Sequence, residues 1–415
     1  MAKVRPFLGI HPHAANVADV VIRPFDSYSN RELTEILNTN AHSFLHVIKP
    51  EYGESKKSPS NSTALFQKSK NKFNELLTND TLTADTKPSF YVYTQHFGNI
   101  NFTGIIGCAA VQDYDSGVIR IHEQTISSRE RLLKEYLRVC DINAEPVCFT
   151  YPRTGSLELL TEIVKQNPPM LDFAHGDGKR HQLWPVNNPH WVNKFIQKFA
   201  LLPHVYIADG HHRSASSVLL AHDKWKESGE NTSPEAPFNY FLGIFFPDDQ
   251  LKIFEFNRVV KNLGAHGVAS FLEALSSDFV VHPRDSHPIS PDEPGLFGMY
   301  LAGKWYKLRY KHQKSLEVVN ALDVSILSDK ILGPILGITD LRNDTRIGFV
   351  PGTLGTSALE KLVNTGKYDL AFSLFPVSGE EFYAISDQGK TMPPKSTYVV
   401  PKLLNGLVVY SLSHG

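Results

Sequence analysis

Five consecutive residues, Asp209-Gly210-His211-His212-Arg213, concentrate more chemistry than any other stretch of this 415-residue chain. They follow a short apolar run, HVYIA at residues 204–208, and precede a stretch of helical character at residues 214–226. A strand that ends in Asp-Gly before a helix brings backbone N–H groups and a helix N-terminus to one point, which favours an anion such as phosphate. Gly210 lets the backbone approach a ligand closely. Arg213 offers a planar charged fork suited to phosphate oxygens. Asp209 could hold Mg2+, which takes one or two carboxylates alongside substrate phosphates. His211 and His212 could donate hydrogen bonds to a transferring phosphoryl group. The competing reading has Asp209 capping the helix and the histidines on the surface. Zinc is a weaker rival, because adjacent histidines rarely reach one metal and no cysteine lies at ligand spacing.

Two further segments carry candidate groups. IHEQT, residues 121–125, closes a strand candidate, and Glu123 there could serve as a general base if burial raised its pKa toward neutrality; a solvated glutamate is the alternative. TMPPKSTYVVPKLLNGL, residues 391–407, has two prolines that fix an extended approach to Lys395-Ser396-Thr397. That cluster of one cation and two hydroxyls reads either as a loop closing over phosphates or as a docked tail. Weaker signals are HGDGKRH at residues 175–181, a polar loop, and FVPGTLGT at residues 349–356, which lacks a strand-GxGxxG-helix pattern. Asp344 and Arg346 read as charges of a turn.

The elements that must position these groups alternate along the chain. A polar loop at residues 51–62 leads into a helix over residues 63–77. Strand candidates follow at residues 89–94, 103–111 and 117–121. Residues 127–140 form a helix with a possible Ser127/Glu130 capping box and Leu132, Leu133, Tyr136, Leu137 and Cys140 on one face. Residues 241–246 and 251–256, joined by Pro247-Asp248-Asp249-Gln250, predict a hairpin. A surface loop is expected at residues 282–294 and a second hairpin around Ala302-Gly303. The last third predicts a helix at residues 357–364 and strands at residues 370–375 and 382–385. The class is α/β, mixed with α+β.

Composition removes several function classes. Lys plus Arg number 42 against 43 Asp plus Glu, so the basic excess of a nucleic-acid binder is missing. Cys108, Cys140 and Cys148 sit among apolar residues, read as buried reduced thiols, and are too few for a disulfide framework. No run approaches about 20 apolar residues, so no membrane span is expected. The N-terminus has no signal-like apolar stretch, and the cytoplasm is the expected compartment.

The phrases VRPFLGI, HEQT, YIADGHHRSAS, FNRVV, FGMYLAGKWYKL and MPPKSTYVVPKL span nearly the whole chain. Through them it resembles the bacterial-type family known as domain of unknown function 1015. It is also similar to free-serine kinases of the ParB/sulfiredoxin-like superfamily, which carry a His-Glu pair, an Asp-Gly-His-His-Arg loop and a late Pro-Lys-[Ser/Thr]-Thr segment in this order. The resemblance implies a ParB/sulfiredoxin-like catalytic region over residues 1–258, with a further α+β region over residues 259–415 that supplies a site-closing segment. It implies a kinase making O-phospho-L-serine from free L-serine, feeding cysteine or serine metabolism, with pyrophosphate, ADP or ATP as donor and Mg2+ as cofactor. Glu123 is then the base, assisted by Asp209 and His212. Gly210, His211, His212, Arg213 and Ser214, with Lys395, Ser396 and Thr397, hold donor phosphates. His122 and Thr125 contact the acceptor, and Asp209 holds the metal. The spacing between the first two motifs departs from the kinases, being long here. The alternative is a ParB-like nucleotide-binding switch or nucleic-acid-associated protein, for which the chain offers no helix-turn-helix region. Sulfiredoxin chemistry needs a cysteine in the phosphate loop, where this chain has histidine.

Overall fold

Phe90–Phe97 and Ile100–Ala110 are mostly apolar segments separated by Gly98 and Asn99, and they pair as an antiparallel hairpin with Phe97 opposite Ile100. Gly98 has φ 58, which a two-residue turn of this hand requires. In the computed structural model, which describes residues 1–49, 62–176, 178–229, 233–284 and 287–413, this hairpin lies at the heart of a nine-stranded mixed sheet. The strand order is Ile119–Arg120, Val205–Asp209, Val147–Tyr151, Tyr240–Pro247, Ile100–Ala110, Phe90–Phe97, Arg180–Val186 and Leu171–Ala174, with Val4–Arg5 paired to Ile100–Ala110. Phe149 stacks on Phe245 with centroids 4.7 Å apart, and Phe199 packs edge-on against Phe245 at 5.1 Å. A four-stranded antiparallel sheet of Leu82–Ala84, Gly9–Pro12, Val409–Ser411 and Ile142–Asn143 belongs to the same unit, which comprises residues 1–120, 125–251 and 401–415.

A second unit, residues 121–124 and 252–400, holds a seven-stranded antiparallel sheet. Lys252–Val260 is its spine: the first half pairs with Thr397–Val400, and the second half pairs with Ile347–Pro351 on one side and Leu370–Ser373 on the other. The hairpin expected at Ala302-Gly303 forms, with Leu301 opposite Lys304 and φ positive at both turn residues. Val259, Trp305, Leu359 and Ala371 are buried in its core. The mixed α+β class is therefore confirmed.

Several expectations are corrected. The strands Tyr240–Pro247 and Lys252–Val260 do not form a hairpin. Tyr240–Pro247 is already paired on both edges, with Ile100–Ala110 and Val147–Tyr151, so it offers no edge to its sequence neighbour. Residues 382–385 are not a strand; they belong to the helix Gly379–Asp387, which Ser378 and Glu381 open with a reciprocal capping box. Ser127 does not cap its helix, because Ile126 holds the N-cap position and Ser127 lies inside Ser127–Cys140. Leu132 points away from the buried face and is exposed. Residues 282–284 continue the strand Phe279–Arg284 rather than starting a loop. The strand expected over residues 117–121 shrinks to Ile119–Arg120. The helix after the Asp-Gly turn begins at His211 instead of Ser214. The loop at residues 51–61 and Asp177 lie outside the described residues. The helix Ser62–Thr78 and the helix Gly355–Asn364 form close to where the sequence places them.

Candidate functional site

In the first unit, the strand Val205–Asp209 delivers the Asp-Gly turn. Its pairing with Val147–Tyr151 shifts register between Ile207 and Asp209, so Ala208 is the extra residue of a bulge. Bulges re-aim the side chain that follows them, here the carboxylate of Asp209. Gly210 is the N-cap of the helix His211–Ser228, with φ 103. A Cβ built there would lie 2.9 Å from Arg213 Nε and 3.0 Å from Nη2, so both the backbone and the overlying guanidinium require glycine. Among the described residues no side chain caps this helix, so Asp209 does not take the capping role of the competing reading.

Three charged groups converge at the turn. Lys402 Nζ donates to Asp209 Oδ2 at 3.0 Å, Arg213 Nη2 lies 3.8 Å from Asp209 Oδ1, and Arg213 Nη1 donates to the Pro146 carbonyl at 2.5 Å. Burial alone would raise the Asp209 carboxyl; the attraction of Lys402 and then Arg213 outweighs it and holds the group well below the usual carboxylate range. Asp209 is therefore anionic at neutral pH, while its side chain remains 44% exposed. Lys402 lies within the MPPKSTYVVPKL phrase but has no local signal in the sequence, because its partner is 193 residues away.

The helix then packs tightly. His211 is buried, and Ser214 is fully buried with its hydroxyl donating to the His211 carbonyl at 2.9 Å. Ser216 donates to the Glu130 carbonyl at 3.1 Å and so ties this helix to Ser127–Cys140. The Thr125 hydroxyl donates to the Glu130 carboxylate. Cys148, facing Asp209 in the strand register, has its thiol pushed up to about 12 by burial and then by the Asp209 charge. All three cysteines are buried and free, as the sequence suggests. His181, from the polar loop candidate, is a fully buried strand residue whose Nδ1 meets the Tyr93 hydroxyl at 2.7 Å.

The second unit gathers a different set. His122 is buried; its carbonyl accepts from Met392 N–H at 2.8 Å, its ring lies 4.7 Å from Phe382, and its Nε2 is 3.5 Å from Thr397 Oγ1. The HEQT and PPKST motifs are thus brought together, with the half-buried Glu123 adjoining His122. Lys395 takes φ 58 and places its ammonium 5.1 Å over the Phe256 ring. Ser396 is buried and its hydroxyl donates to the Pro393 carbonyl at 2.7 Å. Arg258, part of the FNRVV phrase, is fully buried. It donates to the carbonyls of Phe256 at 2.6 Å and Pro394 at 3.4 Å and stacks on Phe349; burial pushes its pKa down to about 9. Arg258 therefore braces the turn that carries Lys395.

A mixed-sheet α+β protein with a glycine-opened helix start beside a clamped aspartate is the class that these features define. The chain belongs to the family described as protein of unknown function (DUF1015), whose profile matches residues 4–325. Among solved structures it is similar to a free serine kinase variant in complex with AMP, at 13% identity, covering 72% of this chain and 88% of that one with a TM-score of 0.37. It is also similar to a conserved hypothetical protein from Pyrococcus furiosus, at 12% identity, 74% and 95% coverage and a TM-score of 0.36. No curated protein matches the chain.

Proposed function

We propose that this protein is a phosphotransferase that converts free L-serine into O-phospho-L-serine, with pyrophosphate, ADP or ATP as donor. The observation that carries this reading is the turn at Gly210: an uncapped helix start, an arginine folded over it, and an aspartate held ionised by Lys402 and Arg213. Phosphoryl transfer demands positioning and charge neutralisation more than covalent chemistry. The backbone of Gly210, His211 and His212, with Arg213, holds the donor phosphates. Lys402 joins them as a second cation.

Asp209 supplies one ionised, partly exposed carboxylate, the ligand type Mg2+ takes beside phosphate oxygens, and Lys402 would have to release its Oδ2 or leave the ion Oδ1. Bound beside the donor, the ion would neutralise phosphate charge. Glu123 takes the proton from the serine hydroxyl as it attacks, and His122 orients the acceptor. The resemblance to the free-serine kinases assigns Lys395, Ser396 and Thr397 to the donor phosphates as well. The Ser214 hydroxyl supports the turn by donating to the His211 carbonyl.

The test is direct. Purified protein is incubated with L-serine, Mg2+ and each of ATP, ADP and pyrophosphate, and O-phosphoserine is sought by mass spectrometry. Product with one of the donors supports the reading; no product with any of them removes it.

A further inference from the structure

Asp209 carries two cations of the chain's own, and they are held very differently. Arg213 is pinned: its Nη1 donates to the Pro146 carbonyl at 2.5 Å, its guanidinium lies over Gly210, and its Nη2 stands 3.8 Å from Asp209 Oδ1. Lys402 meets Asp209 Oδ2 at 3.0 Å through a compact ammonium at the end of a flexible four-carbon stem. The backbone that carries Lys402 is fixed. Leu403 and Leu404 are buried, and Asn405 exchanges both backbone hydrogen bonds with Ile22, at 2.8 and 3.1 Å. Of the groups around this carboxylate, the Lys402 side chain is therefore the one that rotates without moving the chain.

An ammonium and a hard divalent cation want the same oxygen. Mg2+ takes a carboxylate oxygen at about 2.0–2.1 Å, and two cations on one small carboxylate repel each other, more strongly where water is partly excluded. Arg213 leaves Oδ1 only by giving up the Pro146 carbonyl and its place over Gly210. Lys402 leaves Oδ2 by turning its own stem, and its side chain is 25% exposed. Oδ2 is the oxygen that is vacated at least cost.

We infer that Lys402 is an exchangeable counter-ion of Asp209: its ammonium yields Oδ2 to a divalent cation and turns to the donor phosphates. This exchange rests on the reading of Asp209 as the metal ligand. It makes Lys402 a gate on the cradle. While the ammonium is spent on the protein's own carboxylate, the phosphates face fewer positive charges; once it is released, ion and ammonium both face them, and the site is complete only when both are in place.

Mn2+ binding to the donor-free full chain, read by water-proton relaxation, tests the competition. Lys402→Met should bind Mn2+ about fivefold or more tightly than wild type, the value of one ion pair at a partly exposed site. Lys402→Arg keeps a competing charge and should bind no more tightly than wild type, and Asp209→Asn should lose the site. Loss of fold weakens metal binding, so a gain in Lys402→Met is not a folding artefact. A second readout needs no variant: acylation of Lys402 in wild type, mapped by mass spectrometry, should speed up in MgCl2 but not in NaCl of equal ionic strength. Lys402 acylation that ignores Mg2+, or a Lys402→Met protein with no gain in Mn2+ affinity, would overturn the exchange and leave Asp209 as the metal ligand. Asp209→Asn binding Mn2+ as wild type does would overturn both. None of these readouts needs turnover, so they stand apart from the phosphoserine assay.

Discussion

Replacing Gly210 by alanine strikes both features that define the turn. With φ at 103, a side chain there strains the backbone by about 1–3 kcal/mol. The new Cβ would also sit 2.9 Å from Arg213 Nε and 3.0 Å from Nη2. Because all of the crowding atoms belong to the guanidinium, the arginine must swing away and release the Pro146 carbonyl. One hydrogen bond from a charged group contributes about 1.5–3 kcal/mol, so losing the aimed guanidinium should weaken anion binding by about 10–150-fold. Calorimetric titration with pyrophosphate, alongside urea unfolding, separates the two effects. Gly98→Ala is the control: φ is 58 and nothing lies within 4 Å of its would-be Cβ, so it should cost about 1 kcal/mol of stability and no affinity. A Gly210→Ala protein that binds pyrophosphate as tightly as wild type would refute the role given to this turn.

Further outcomes follow from the same contacts. Asp209 has a folded pKa depressed below its ordinary 3.8, so it adds stability above that pH, and the contribution disappears as pH falls through the folded value. Lys402→Met removes the strongest attraction, so the variant should be less stable than wild type at pH 7 and the gap should narrow below about pH 4 in acid-unfolding curves. Gly243→Ala places a Cβ 2.6 Å from Phe149 Cε2 in a fully buried sheet and should destabilise the first unit by about 1–3 kcal/mol in urea, with m unchanged. Arg258→Met keeps the volume but frees the Phe256 and Pro394 carbonyls and loosens the turn that carries Lys395, so product formation and pyrophosphate affinity should both fall, read by phosphoserine yield and by calorimetry.

Features set by neighbours in the chain are legible in the sequence, and those set by distant partners are not. The Asp-Gly turn was legible because an apolar run, a glycine and a helical stretch are adjacent in the chain. The helix Ser127–Cys140 was legible from its apolar face, but its start was misassigned: Ser127/Glu130 has capping-box spacing, and Thr125 instead holds Glu130. The false hairpin at Pro247–Gln250 had good turn residues; what overruled them was pairing with Ile100–Ala110 and Val147–Tyr151 from far upstream. The bulge at Ala208 and the Lys402 partner of Asp209 leave no mark in sequence, since each depends on a neighbour brought in by the fold.

The proposed reaction moves a phosphoryl group onto the hydroxyl of free serine, with Glu123 taking the proton. A 31P NMR time course with saturating donor, Mg2+ and L-serine, run on wild type and Glu123→Gln, tests it most directly. A phosphoserine resonance that grows in wild type, and grows about 10²–10⁴-fold more slowly in a variant that still binds the donor, is the predicted result. Equal rates in the two proteins, or no phosphoserine in either, would contradict it.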